Sequence, residues 1–493
     1  MRRIVVVLAS VALAVGSLFS GFYSGISADL RRAAAQTTPA RPNIVFILTD
    51  DMRKDDLRYM PQTRTLLDRG GMSFENAFVS NALCAPSRAT IMRGQYSHGN
   101  GVWSNSSKDS PTTATGGWKA YQAKGNQRDN VATRLHGAGY TTGLFGKYMN
   151  RYTNTTAVPG GWDRWFAAST IGAPEYFDYD VNVDGTRRHY GTSKSDYITD
   201  VLSRETNAFI EDSASRSRPF FAYVAPIAPH APATRAPRDA HTYDGVRAPR
   251  PSSFNEANVS DKPPWIRKLP RLTPDKIKAI DNRHERRVES LQAVDDLVRG
   301  VADTLRATDE MRNTYIFFTS DNGFYHGEHR IPKEKWRPYE EDVHVPLLVR
   351  GPGVAAGSTT RKIALNTDYL PTFTDLAGTR TPSYVDGRTL GPVLDGSVTP
   401  WRSAILLEGA AHYSPAFAGI RTLSTSTTKR KYIEYAGGER ELYYLLRDPY
   451  ELTNSFDAAS PPTVLSSRLD ALRTCAAGAR APRVTCQVAE DGG

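Results

Sequence analysis

The sequence contains little cysteine, with only three such residues in 493. Cys475 and Cys486 lie close together near the C-terminus, and in an exported chain they are expected to form a disulfide. That pairing leaves Cys84 as the odd cysteine. A free cysteine is most often a buried, inert thiol, but an odd one in a secreted protein is also a candidate for chemistry.

The sequence also lacks internal repeats, and its N-terminus is organised as an export signal. Two arginines precede an apolar run at residues 4–19, which is short for a membrane span of about 20 residues. No cysteine follows this run, which excludes a lipid-modified cysteine there. We expect residues 1–35 to be a signal peptide and linker, and the protein to be secreted without stable membrane insertion. An uncleaved N-terminal anchor is the alternative.

The charge balance is basic, at +10 from 62 Lys and Arg against 52 Asp and Glu. Such a surplus favours anionic partners, among them sulfated or phosphorylated polymers, nucleic acid and membrane surfaces. A solvated surface rich in arginine is the simpler explanation. Hydrophobic residues at 40% and charged residues at 23% are typical of a soluble globular protein, and the length suits a large core.

Buried apolar runs alternate with amphipathic helical patterns along most of the chain, which predicts an α/β fold with a large, mostly parallel sheet flanked by helices. Beyond about residue 398, short alternating runs indicate a smaller C-terminal subdomain with an antiparallel sheet. We predict a catalytic domain over residues 41–397 and a C-terminal subdomain over residues 398–493. The apolar runs of the first part are PNIVFILTDD (42–51), TTGLFG (141–146), PFFAYVAP (219–226), TYIFFTSDNG (314–323) and HVPLLVRGPG (344–353).

Several of these strands are followed by polar residues, which are predicted to converge because ligands bind beyond the carboxyl ends of parallel strands. Three carboxylates and an amide without Cys or His suit Ca²⁺ or Mg²⁺ better than Zn²⁺. The alternative is that these residues are ordinary turn and cap residues. The polar residues are Asp50, Asp51, Lys147, His230, Asp321 and Asn322.

Cys84 begins a predicted short helix, PSRATIMRG, which has Pro86 in its first turn and Gly94 just past its end. Free backbone N–H groups and the helix dipole favour anions at such a place, so we expect a lowered thiol pKa. Arg88, one turn later, offers a cationic fork for a tetrahedral oxyanion.

The chain resembles the type I sulfatases, enzymes of the alkaline-phosphatase-like superfamily. The resemblance is carried by CAPSRATIMRGQYSHGNGV, and by RPNIVFILTDD, AGYTTGLFGKY, TSDNGFYHGEH and VPLLVRGPG in the same order. It covers about residues 41 to 460. Within the family the chain is most similar to the N-acetylglucosamine-6-sulfatases, on strings such as GKYMNRY, APIAPHAP and SLQAVDDLV.

The resemblance implies that a formylglycine-generating enzyme oxidises Cys84 to Cα-formylglycine, whose hydrate attacks sulfur and later expels sulfate through its second hydroxyl. A serine or cysteine nucleophile would instead be trapped as a sulfated adduct. One Ca²⁺ (Mg²⁺ less readily) would polarise the sulfate. Its implied ligands are Asp50, Asp51, Cys84 as formylglycine, Asp321 and Asn322.

The remaining implied roles concern substrate and proton handling. Arg88 would stabilise the hydrated aldehyde, Lys147 and Lys335 would hold sulfate oxygens, and His230 would protonate the leaving alcohol. Lys333 is the alternative to Lys335. Where many sulfatases carry a histidine after the Gly-Lys motif, this chain has Met149, which cannot act as a base.

The implied substrate is a sulfated glycan, with 6-O-sulfated N-acetylglucosamine as the expected class and no nucleic-acid partner. Two other functions stay open. The first is a phosphonate or phosphate monoester hydrolase on the same fold, and the second is a glycan-binding protein with a dead site. The histidines outside the motifs are expected to be structural or exposed: His136, His189, His241, His284 and His412.

Overall fold

The computed structural model describes residues 41–106, 116–153, 157–169, 175–397, 400–423, 429–476 and 485–492. The predicted export signal lies outside these residues. Residues 42–493 form one compact unit. No helix in the described part of the chain is long and apolar enough to span a bilayer.

A ten-stranded mixed sheet forms the centre of the fold, in the order β10-β2-β9-β8-β1-β7-β3-β4-β5-β6. Five of its neighbouring pairs are parallel, and the pairs that involve β9 or β5 are antiparallel. Its strands are β1 Asn43–Thr49, β2 Met72–Phe78, β3 Thr141–Gly146, β4 Arg164–Ala168, β5 Tyr179–Val183, β6 Thr186–Tyr190, β7 Phe220–Ala225, β8 Thr314–Ser320, β9 Leu347–Arg350 and β10 Ser358–Leu365.

A separate four-stranded antiparallel sheet, ordered β11-β12-β13-β14, follows in the sequence. Together the two sheets confirm the predicted fold class. The boundary between a catalytic domain and a C-terminal subdomain stays a prediction. The four strands are β11 Ala404–Gly409, β12 Phe417–Thr422, β13 Arg430–Tyr435 and β14 Arg440–Tyr444.

Helices cover both faces of the large sheet and one face of the small one. The α-helices are α1 Pro61–Thr63, α2 Cys84–Arg93, α3 Ser97–Asn100, α4 Gly117–Ala123, α5 Val131–Gly137, α6 Ile198–Ser215, α7 Pro264–Arg267, α8 Pro274–Ala307, α9 Glu340–Val343, α10 Tyr369–Leu376, α11 Gly391–Leu394, α12 Thr463–Thr474 and α13 Cys486–Asp491. A π-helical turn at Arg64–Asp68 follows α1, and 3₁₀ turns lie at Lys54–Tyr59, Asn126–Arg128, Lys194–Asp196, Met311–Asn313 and Asn366–Asp368.

The core has one layer on each face of the large sheet. Side chains from β1, β7 and β8 alternate between the two layers, because successive residues of a strand point to opposite faces. Phe46 packs with α5 and α10 on one face, while Val45 and Ile47 pack with α6 and α8 on the other. The predicted buried strands are therefore covered on both sides, as parallel sheets require.

The sequence did not predict β2, β4, β5, β6 or β10, which lie towards the two ends of the large sheet. The β6 sequence, TRRHY, is exposed over four of its five residues, so it carries no apolar pattern. The predicted disulfide between Cys475 and Cys486 is present and ties the end of α12 to the start of α13.

Candidate functional site

The carboxyl ends of four neighbouring parallel strands, β8, β1, β7 and β3, form one edge of the large sheet. Thr49 pairs with Ser320, and Gly146 pairs with Ala225, so the chain leaves these strands at one level. Gly146 has a φ of 109°, and a Cβ there would lie 2.1 Å from the carbonyl oxygen of Ala225. Only glycine fits this turn, which directs Lys147 into the edge.

The oxygen donors predicted to bind a metal lie together at this edge and are buried. Asp51 has a φ of 70°, so the chain turns directly after β1 and two successive carboxylates face the same space. The main-chain N–H of Asp51 donates to Oδ1 of Asp321 at 3.1 Å, and Nδ2 of Asn322 donates to Oδ1 of Asp51 at 2.7 Å.

These donors fit a hard divalent cation. Oδ1 of Asn322 is buried and has no hydrogen-bond partner among the described residues. Ligand atoms of Asp50, Asp51, Cys84 and His230 all lie within 4.8 Å of one another. Three carboxylates and an amide oxygen in such a space match the preferences of Ca²⁺ and Mg²⁺.

Three buried cations face the three carboxylates. Nε of Arg88 donates to Oδ2 of Asp321 at 2.8 Å, and Nζ of Lys147 donates to Oδ2 of Asp50 at 2.5 Å. Lys335 donates to Asp51. One terminal nitrogen of Arg88 has no hydrogen-bond partner in the described residues and lies 3.9 Å from Asp50. The cluster thus holds an unpaired cationic donor in a buried position.

Cys84 begins α2, as predicted, and lies in the centre of this cluster. Its Sγ is 3.5 Å from Oδ1 of Asp50, 4.0 Å from Oδ1 of Asp51 and 3.1 Å from Nζ of Lys335. Gly94, with a φ of 64°, caps the other end of α2 and donates its N–H to the carbonyl of Thr90.

The expectation of a lowered thiol pKa is wrong. Burial raises the pKa of Cys84 to about 12, and the carboxylates of Asp50 and Asp321 add to the increase. Lys147 and Lys335 oppose the shift but do not overcome it. The helix terminus is outweighed because the thiol is fully buried and close to negative charge.

The carboxylates differ in their electrostatics. Burial raises the pKa of each, but Lys147 reverses the shift at Asp50 and Lys335 reverses it at Asp51, so both pKa values are lowered. At Asp321 burial and the neighbouring Asp50 charge prevail, and the pKa is raised to about 6. The cluster therefore holds more negative charge than its own cations stabilise.

His230 lies at the rim of the cluster, and 21% of its side chain is exposed. Its Nε2 is 3.7 Å from Oδ2 of Asp51, while Nδ1 lies 2.7 Å from the carbonyl of Ala231. That contact makes Nδ1 the protonated nitrogen, so Nε2 carries the lone pair. Burial, and then the charge of Lys335, lower the pKa of His230.

The structure distinguishes the two candidate lysines. The side chain of Lys333 is 60% exposed and lies 3.5 Å from Glu334, whereas Lys335 is buried and contacts both Asp51 and Cys84. Met149 lies outside the cluster, fully buried in the hydrophobic core. The cluster thus has no base at the position where many sulfatases carry a histidine.

Sequence reasoning missed Arg287, a buried residue of α8 that supports this edge. It donates to the main-chain carbonyls of Asp51 at 2.5 Å and Pro229 at 3.0 Å, joining the turn after β1 to the segment that carries His230. A signal was present, because Arg287 falls on the same helical stripe as the apolar residues Ile280 and Leu291.

Comparison with protein families places most of the chain in one family. The family model described as Sulfatase matches residues 42–379, and a model described as N-sulphoglucosamine sulphohydrolase, C-terminal, matches residues 327–475. Human N-acetylglucosamine-6-sulfatase is 34% identical over 480 residues, which cover 88% of this chain and 85% of that protein. A Drosophila melanogaster protein named extracellular sulfatase SULF-1 homolog is 34% identical over 72% of this chain and 31% of its own length.

Solved structures share the fold. BT4656 in complex with its substrate D-glucosamine-2-N,6-O-disulfate has a TM-score of 0.73 and 25% identity, and the match covers 87% of this chain and 97% of that one. A phosphonate monoester hydrolase of Agrobacterium radiobacter has a TM-score of 0.64 and 21% identity, over 88% and 94% of the two chains. That second likeness concerns the fold alone.

Proposed function

Because this chain belongs to the sulfatase family and is a sulfuric ester hydrolase, we propose that it removes 6-O-sulfate from N-acetylglucosamine or a closely related sulfated glycan. One observation carries the proposal. A buried cluster at the carboxyl edge of the sheet combines hard oxygen donors, three cations and Cys84, as sulfate transfer requires.

We assign sulfate binding to the cations of the cluster. Lys147 contacts Asp50, and Lys335 contacts Asp51 and Cys84, so both ammonium groups lie beside the carboxylates next to residue 84. Arg88 contributes the terminal nitrogen that lacks a partner. A sulfate ester spreads negative charge over its oxygens in the transition state, and preorganised donors stabilise that charge without reorganising.

We assign the nucleophile to residue 84 after oxidation of Cys84 to formylglycine. When present, the hydrated aldehyde would supply one hydroxyl to attack sulfur and a second whose loss of a proton would expel the sulfate from the first oxygen and restore the aldehyde. The encoded side chain contributes its place, because the first turn of α2 is buried and brings residue 84 within 4.0 Å of both Asp50 and Asp51. Arg88 lies one helical turn away on the same helix.

We assign the metal to Ca²⁺, held by Asp50, Asp51, Asp321, Asn322 and residue 84. A bound divalent cation supplies Lewis-acid stabilisation of a sulfate oxygen. The protein's own contribution is a set of hard donors positioned by the turn at Asp51 and by the hydrogen bond from the guanidinium of Arg287 to the main-chain carbonyl of Asp51.

The leaving oxygen needs a proton when the ester S–O bond breaks, and we assign this transfer to the imidazolium form of His230, whose part-exposed ring first takes up a proton from water at Nε2 and then donates it. Its Nε2 faces Asp51 at the rim, while its Nδ1 is fixed by the carbonyl of Ala231. A histidine at the rim, partly exposed, can meet the sugar oxygen of a substrate whose sulfate is buried.

The substrate class and the location are drawn from relatives. N-acetylglucosamine-6-sulfatases from human and goat each share 34% identity over most of the chain, and BT4656 binds a 6-O-sulfated glucosamine. We propose secretion on the export pattern at residues 1–35 and on relatives named as extracellular sulfatases.

Two measurements on purified protein test the proposal. Mass spectrometry of the tryptic peptide over residues 70–88 should show the aldehyde in place of the thiol. Sulfate release from N-acetylglucosamine 6-sulfate should exceed phosphate release from an aryl phosphate, and Cys84→Ala should abolish it. A wholly unmodified thiol in active protein would contradict the nucleophile, and a preference for phosphate would favour a phosphomonoesterase.

A further inference from the structure

Two loops meet directly beside Lys335. One is the lysine loop, residues 331–339, and the other is the hairpin loop, residues 410–416, which joins β11 to β12. The ring of Trp336 stacks on His412 at 5.2 Å between centroids and 28° between planes. The guanidinium of Arg337 lies 5.1 Å from the ring centre of Tyr413. The small sheet thereby reaches the residue that follows Lys335.

The backbone of the lysine loop is strained around Lys335. Glu334 has a φ of 82° and Trp336 a φ of 76°, a region that costs a bulky L-residue of the order of 1–3 kcal/mol. Such conformations persist where the surroundings demand them. Here the positive φ angles of Glu334 and Trp336 let Lys335 contact Cys84 while Trp336 stacks on His412. The loop is shaped to hold both contacts at once.

The junction of the two loops contains buried polar groups that have no partner in the part of the chain that the structure describes. They are Nε1 of Trp336, Nε of Arg337 and Oγ of Ser414. Trp336 is 2% exposed and Ser414 is 6% exposed. A buried donor left unpaired costs about 1–3 kcal/mol, so three of them in one place point to a ligand that supplies the missing partners.

The exposed side of the junction carries two aromatic rings. His412 is exposed, and Tyr413 is 42% exposed next to it, with the two rings 4.2 Å apart and nearly perpendicular. Aromatic rings offer an apolar face to the C–H face of a sugar together with a polar edge for its hydroxyl groups. Ligand pockets combine aromatic surfaces with a small number of polar groups in this way.

We propose that this junction binds the sugar ring of the substrate and selects which sulfated sugar is accepted. The inference rests on the proposed function, since the sulfate would lie at Lys335 and the sugar ring would lie against the exposed rings of His412 and Tyr413, next to the buried Trp336. The ligand class is a hexopyranose with hydroxyl or acetamido groups, bound through Trp336, Ser414 and the rings of His412 and Tyr413.

The main test measures selectivity rather than activity. His412→Ala, and separately Trp336→Phe, which keeps a ring but removes Nε1, should lower kcat/KM for N-acetylglucosamine 6-sulfate roughly tenfold more than for an aryl sulfate. Tyr444→Ala is the matched control, because that exposed tyrosine at the end of β14 lies outside the junction. Its ratio of kcat/KM for N-acetylglucosamine 6-sulfate to kcat/KM for the aryl sulfate should equal that of the wild type.

A binding measurement makes the inference independent of turnover. In a Cys84→Ala background, calorimetric titration with N-acetylglucosamine 6-sulfate should show roughly tenfold weaker binding when His412→Ala is added. If kcat/KM fell equally for N-acetylglucosamine 6-sulfate and the aryl sulfate, or if the affinity in the titration were unchanged, the assignment of the junction would be overturned. A protein that binds this sugar through the junction but releases no sulfate would instead contradict the proposed function.

Discussion

Two buried clusters each combine carboxylates with cationic side chains, and they differ in how these charges are compensated. The first, which we call the catalytic cluster under the proposed function, lies at the sheet edge and consists of Asp50, Asp51, Cys84, Arg88, Lys147, Asp321, Asn322 and Lys335. The second, which we call the sheet-junction cluster, connects α9 to the small sheet. There the guanidinium of Arg421 makes two bonds to Glu340, at 2.9 and 3.0 Å. The sheet-junction cluster consists of Glu340, Arg421, Lys431 and Glu451.

The pKa values show the difference. Burial opposes ionisation of Glu340, but Arg421 and Lys431 hold its pKa well below the usual value. In the catalytic cluster, burial and Asp50 raise the pKa of Asp321 to about 6. Lys431 also lies 2.9 Å from the carbonyl of Pro338, whereas one nitrogen of Arg88 has no partner among the described residues. One terminal nitrogen of Arg421 also lacks a hydrogen-bond partner among the described residues, and burial raises the pKa of Glu451, so the two clusters differ at Glu340 and Asp321 rather than throughout.

The largest effect should come from Asp321→Asn. Activity should fall by roughly 10³-fold or more, because a charged metal donor and the partner of Arg88 are lost. The free energy of unfolding, measured in chelator, should change little. The raised pKa of Asp321 means that ionisation of this carboxyl destabilises the native state as pH rises through about 6, so losing the charge removes no stabilising contribution. Sulfate release and thermal unfolding measure the two quantities. A loss of several kcal/mol in stability would erase the contrast between the clusters.

The opposite outcome is expected for Glu340→Gln. Two buried cations would lose their main partner, so stability should fall by about 3–5 kcal/mol. The kcat of the protein that remains folded should stay near the wild-type value, since Glu340 touches no residue of the catalytic cluster. Denaturant unfolding measures the loss. Glu75→Gln is the control: this pair with Arg361 is exposed and should contribute less than about 1 kcal/mol. If the Glu340→Gln variant kept the wild-type stability but lost kcat, Glu340 would be assigned to catalysis instead.

The sequence allowed the large sheet and most of the candidate site to be predicted for one physical reason. Strands buried on both faces are continuous apolar runs, and the first polar residues after them must lie at one edge of a parallel sheet. Asp50, Asp321 and Lys147 were found in this way. Cys84 was singled out as the odd cysteine at the start of a predicted helix, Lys335 was added by resemblance to a family, and the structure brings the two into contact.

What could not be predicted depends on contacts between residues distant in sequence. Arg287 falls on the apolar stripe of a long helix, but its partners, the carbonyls of Asp51 and Pro229, belong to distant parts of the chain. His412 was expected to be structural or exposed, because nothing local indicates that it stacks on Trp336. The thiol pKa was predicted with the wrong sign because the helix terminus is visible in the sequence and the depth of burial is not.

The smallest of the expected effects concerns His98, a residue of α3 that contacts β11 of the small sheet. Its Nδ1 is 3.0 Å from Glu408 on β11, and its Nε2 is 3.1 Å from the carbonyl of Cys475. Burial lowers its pKa, but Glu408 outweighs burial and raises the pKa to about 9. A raised pKa means that the protonated form stabilises the fold. That contribution is complete below about pH 6.5 and is lost as pH rises through 9.

His98→Gln should therefore remove of the order of 1 kcal/mol at pH 6 and almost nothing at pH 10, because only the protonated pair is lost. Denaturant unfolding at both pH values measures the difference, with His241→Gln as control, since its pair with Asp244 is largely exposed. An equal loss at both pH values would mean that His98 acts by packing on Tyr96. A pH-dependent loss would show that one exchangeable proton joins the helix after the Cys84 motif to the small sheet.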